Sequence, residues 1–97
     1  MANVLFHPEA QAEYVDALNR YRTQSERAAN RFEAEIERIL GSIPAYPEMY
    51  PRYDSEHRFA LLRRYPYSVV YQVHEGRTYV VAVAHSSREP GYWQGRA

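Results

Sequence analysis

The sequence predicts an α+β fold, β-α-α-β-β-β, with a helical hairpin packed on one face of an antiparallel sheet. Three observations carry that expectation. Apolar side chains recur at helical spacing between residues 8 and 43, and they change to the character and period of strands between residues 58 and 85. A three-residue apolar run, Val4-Leu5-Phe6, precedes both and is too short to be a helix. At 97 residues the chain is expected to be a single domain spanning 1–97.

The elements follow in order. His7-Pro8-Glu9 is a helix start, with Pro at the first helical position and an acid in the first turn. Ala10, Tyr14, Ala17, Leu18 and Tyr21 form one face of a helix expected to end near Arg22. Thr23 or Ser25 is placed to cap a second helix, whose apolar face is Ala29, Phe32, Ile36, Ile39, Leu40 and Ile43. Gly41 is the expected C-terminal cap and Pro44 blocks continuation. Residues 44–56, rich in Pro and Tyr, read as an ordered loop pinned by its aromatics. Residues 58–64 begin a strand, Tyr65-Pro66 turns the chain, and residues 67–74 and 78–85 form a hairpin about Glu75-Gly76. The small Ala82 and Ala84 suggest close packing of the last strand against a helix. The opposite sheet face is expected to be uncovered and to carry the function.

Composition removes several classes of function. There is no Cys, so disulfides and thiolate metal sites are excluded. The N-terminus lacks a signal-peptide pattern, and no apolar run is long enough to span a bilayer, so a cytoplasmic location without membrane contact is expected. Net charge is zero, yet residues 1–42 carry seven acids and five bases while residues 43–97 carry five and seven. All twelve bases are Arg. A neutral chain is not the footprint of a protein held on nucleic acid by phosphate contacts. Phosphate-loop, nucleophile-elbow and paired-carboxylate patterns are missing, and the His spacings suit no metal, so neither cofactor nor metal is expected.

The densest run of functional groups is His85-Ser86-Ser87-Arg88-Glu89-Pro90-Gly91-Tyr92-Trp93. Imidazole or phenol can move a proton and guanidinium can steady charge on a phosphodiester, which makes His85, Arg88 and Tyr92 candidates for catalysis. Arg58, Arg63 and Arg64 would complete a pocket for an anion. Each has a plainer account. His85 suits a strand end bonded to backbone, and Arg88 an ion pair with Glu89 or Glu48. Tyr92 and Trp93 suit a clamp on the core, and Arg63 and Arg64 suit guards on an edge strand. His7 suits a helix cap, and Tyr46, Tyr50 and Tyr53 suit loop packing.

The element order, the stretch Arg64-Tyr65-Pro66-Tyr67-Ser68-Val69-Val70-Tyr71-Gln72-Val73, and Ala82-Val83-Ala84-His85 followed by Arg88 and Pro90-Gly91-Tyr92-Trp93 resemble the RelE/ParE toxin superfamily, also called plasmid stabilisation proteins. The resemblance covers nearly the whole chain. It implies the toxin of a type II toxin–antitoxin system, bound by a cognate antitoxin whose disordered segment folds onto it. Tyr46, Tyr50, Tyr53, Arg58 and Trp93 would then be binding residues. ParE-like members poison DNA gyrase. RelE-like members cleave mRNA on the ribosome, and that pattern would make Arg63, Arg64 and Arg88 phosphate stabilisers, with His85 or Tyr92 in proton transfer and Glu48 a further candidate base. The neutral charge and absence of Lys depart from the RelE-like pattern, so a gyrase inhibitor is expected ahead of an endoribonuclease. An inactive relative that only binds is the remaining alternative.

Overall fold

The computed structural model describes residues 4–96. Strand β1 (Val4–Phe6) leads into helix α1 (Pro8–Gln24) and helix α2 (Glu26–Ser42), and after a loop come strands β2 (Arg58–Leu61), β3 (Tyr67–His74) and β4 (Arg77–His85). The sheet order is β1-β4-β3-β2. The meander is antiparallel, as expected. β1 joins its β4 edge in parallel, so the complete sheet is mixed.

Local chemistry sets the boundaries. His7 caps α1, its Nδ1 accepting the Glu9 N–H at 3.0 Å, and Ser25 caps α2, its Oγ accepting the Ala28 N–H at 2.9 Å. α1 therefore runs two residues past Arg22, to the point where Ser25 adopts an extended backbone and separates the helices. Gly41 is not a cap. It lies inside α2, and Ile43 ends the helix in a right-handed conformation just before Pro44. β2 stops at Leu61, three residues short of expectation, because Arg64 takes a positive φ of 67° and turns the chain early. At the hairpin tip Glu75 and Gly76 both have positive φ, 52° and 76°, as a two-residue primed turn requires.

The main core lies between the helices and the sheet. Phe32 is its centre, with ring centroids 4.9 Å from Tyr21, 5.3 Å from Tyr65 and 5.4 Å from Tyr67. Tyrosines thus replace much of the aliphatic packing in a small core, with hydroxyls near its margin. Val69, Tyr71, Val80 and Val83 meet Ile36, Ile39 and other helix side chains beneath this cluster.

The second sheet face is not bare, contrary to expectation. The chain after β4 folds back across it and buries Trp93 against Val70, Val81 and Ala82, with Phe59, Ala84 and Tyr92 alongside. Ala82 and Ala84 therefore make room for this segment and not for a helix. The reversal follows from a bulge in β4. Val70 pairs with Ala82 and Tyr71 with Val80, so Val81 is the extra residue. The inserted residue puts both Val80 and Val83 on the helix side.

The core assignment makes a direct prediction. Phe32→Ala should destabilise the protein by about 3–5 kcal/mol in urea unfolding. A loss near 1 kcal/mol would place the core elsewhere.

Candidate functional site

Glu13 organises the region around the last strand and was not singled out by the sequence. It stands on α1 three residues after Ala10 and four before Ala17, both fully buried, so its carboxylate points toward the sheet. Its Oε1 accepts the Val83 backbone N–H at 3.0 Å. The Tyr92 hydroxyl donates to its Oε2 at 2.7 Å. Arg96 donates to both oxygens at 3.0 Å and also reaches the Val81 carbonyl at 2.9 Å. A carboxylate inside a core margin is tolerated only when so satisfied. Burial by itself raises the Glu13 pKa, but the donations from Arg96, Tyr92 and Val83 outweigh it and hold the group below its ordinary value.

The sequence-predicted residues gather around this carboxylate only in part. Arg88 places its guanidinium over the Tyr92 ring, 3.8 Å from its centroid, and reaches only 3.8 Å from Glu13, not Glu89 or Glu48. Burial first, then the hydrogen bond to Glu13 and its charge, push the Tyr92 phenol well above its usual value. His85 is the last residue of β4, paired with Tyr67 of β3. Its ring packs edge-on against Tyr67 at 5.0 Å, and its Nδ1 accepts the Ser87 N–H at 3.0 Å. His85 and Arg88 line two clefts, one of about 140 Å³ beside α1 and one of about 210 Å³ beside Tyr53, Phe59 and Pro90.

The other arginines are elsewhere. Arg63 and Arg64 are exposed in the turn after β2 and line neither cleft. Only the backbone of Arg63 is engaged, donating to Glu35 at 2.8 Å, and Arg38 grips the same carboxylate in bidentate fashion. Arg58 anchors the proline loop by donating to the Tyr50 carbonyl at 2.8 Å, with Glu48 3.9 Å away. Tyr50 packs against Tyr71, Tyr53 packs against Trp93, and Tyr46 is exposed.

A second latch holds the same C-terminal segment. Asp54 accepts the N–H groups of Glu56 and His57 and the His57 ring, and Gln94 donates to it at 3.2 Å. Desolvation opposes this, yet those donations draw its pKa to about 2. The His57 ring rests 4.6 Å from Trp93. Gly91, with φ of 75°, bends the chain toward this contact, and a Cβ there would lie 2.7 Å from the Gln94 Oε1. Among the described residues no group of three or more acids and histidines could hold a metal ion, and no helix is long and apolar enough to cross a membrane.

A family model described as the ParE toxin of the type II toxin–antitoxin system parDE matches residues 4–90. That span includes His85 and Arg88. No curated protein matches the sequence. Among solved structures, the chromosomal ParDE toxin–antitoxin system of P. aeruginosa superimposes with a TM-score of 0.71 at 14% identity, covering 86% of this chain and 94% of that one. At that identity the likeness is one of fold.

Two outcomes follow from the latches. Glu13→Ala should leave far-UV circular dichroism unchanged while the single Trp, Trp93, becomes open to collisional quenching. A shielded Trp93 in that variant would show that the carboxylate does not hold the segment. Both latch carboxylates have folded pKa values below their unfolded ones, so the stability they contribute is complete above the unfolded values and lost as pH falls through the folded ones. Thermal stability should therefore decline from about pH 4.5 toward about pH 2. Glu13→Gln should flatten the upper part of that decline, and an unchanged pH profile would contradict the assignment.

Proposed function

The chain belongs to the family of ParE toxins of type II toxin–antitoxin systems, and from that premise we propose that it arrests growth by binding DNA gyrase. It is the toxin of such a pair, and its cognate partner is an antitoxin. The family match is the observation that carries the target reading, because gyrase poisoning is the activity that the ParE-like branch implies.

The geometry supports binding over RNA cleavage. A general acid or base works best with a pKa near the operating pH. The Tyr92 phenol is instead raised and donates its proton to Glu13. Arg88 is stacked on that same phenol ring, and the Arg63 and Arg64 side chains stand apart from both. Tyr92, through Glu13, instead secures the C-terminal segment to the sheet. What remains is a groove lined by Tyr53, Phe59, Pro90 and Tyr92, with Arg88 at its margin. Aromatic and Arg side chains around an apolar floor are the composition of a protein-binding patch.

Purified toxin is expected to block supercoiling by gyrase while leaving ribosome-bound mRNA intact. Tyr53→Ala, which removes an exposed wall of the groove, should weaken inhibition about tenfold or more. Intact supercoiling together with mRNA cleavage would transfer the toxin to the nuclease branch. Normal growth on induction, with neither effect, would make it a binding protein only.

A further inference from the structure

The cleft between α1 and the end of β4 has more hydrogen-bond donors than the protein satisfies. Its volume is about 140 Å³, and Asp16 and Arg20 on α1 face His85, Ser87 and Arg88 across it. Arg20 is exposed, and its guanidinium takes part in none of the ion pairs among the described residues. His85 accepts the Ser87 N–H at Nδ1, which places the proton of the neutral ring on Nε2 and makes that nitrogen a donor. Arg88 is held over the Tyr92 ring, and at 3.8 Å its nearest approach to Glu13 is too long for a hydrogen bond. The Glu13 oxygens are already taken by Val83, Tyr92 and Arg96. Three donor groups, one on α1 and two at the end of β4 and in the turn after it, therefore converge on one small volume, against the carboxylate of Asp16 and that of Glu13, whose oxygens are already satisfied.

We propose that this cleft is a carboxylate-binding site, filled by an acidic side chain of the cognate antitoxin. Arg20 and Arg88 supply planar donor forks, the pairing that carboxylates accept best, and Arg88 is preoriented by its stacking. Asp16 in the wall opposes the larger charge of a phosphate. The zero net charge of the chain likewise argues against a phosphate-tracking surface. An acid on a segment that orders on binding would be fixed in register by such a site. The inference rests on the antitoxin partnership and is independent of which target the toxin attacks.

The test compares the dissociation constant of the toxin–antitoxin complex for wild type, Arg20→Ala and Arg27→Ala. Arg27 is exposed on α2 and also outside those ion pairs, so the control removes the same charge at another place. Arg20→Ala should weaken the complex about tenfold to a hundredfold, with Arg27→Ala close to wild type and both variants melting like wild type. Equal effects of the two substitutions, or none from Arg20→Ala, would overturn the site. Should wild-type toxin not bind the antitoxin at all, the partnership fails, and the cleft is judged on the isolated toxin. There, a glutamate-rich peptide should shift the His85 ring and Arg20 side-chain NMR signals in wild type and not in Arg20→Ala. No shift, or a shift with inorganic phosphate alone, would overturn the proposal.

Discussion

The structure depends most on one carboxylate placed where a helix meets a sheet. Glu13 projects from α1 into a margin from which water is largely excluded and is compensated there by Val83, Tyr92 and Arg96. Each donor comes from a different part of the chain's end: the last strand, the turn after it and the final residues. A buried carboxylate without partners is expensive, so the three interactions are interdependent. Together they close the C-terminal segment over the sheet face opposite the helices. Trp93 then seals that face on a floor of small side chains, Ala82 among them.

The helices repeat this device. Glu35 of α2 accepts the Arg63 backbone N–H in the turn after β2, with Arg38 balancing its charge. Each helix thus sends one Arg-neutralised carboxylate to a backbone donor that the sheet leaves unpaired. The amides concerned lie where regular pairing stops, near the bulge of β4 and at the end of β2. A small domain has little apolar surface to bury, and such contacts fix the register of its layers when packing alone would specify it weakly.

Much of the fold was legible because periodicity is local. Phe32, Ile36 and Ile39 lie on one helical face, and the β3–β4 hairpin follows from its β-branched runs and the Glu75-Gly76 turn. The caps His7 and Ser25 were legible for the same reason. Val80 to Ala84 are all apolar, so alternation could not locate the bulge at Val81, and the facing of Ala82 and Ala84 was inverted as a result. Glu13 carried a usable signal, an acid on the stripe of Ala10 and Ala17, but its main partner Arg96 is 83 residues away in sequence. Pairings of that range are set by the tertiary fold. The same holds for Arg88, whose expected ion pairs with near neighbours gave way to the ring of Tyr92.

The account stands on Glu13 and Arg96 acting as one unit, not as two independent surface charges. A double-mutant cycle with Glu13→Ala, Arg96→Ala and the combined variant, read by urea unfolding, measures that coupling directly. The expected interaction energy is about 2–3 kcal/mol, with the double variant little worse than either single one. Strictly additive losses, with coupling below about 0.5 kcal/mol, would contradict the claim that this pair clasps the chain's end to its first helix.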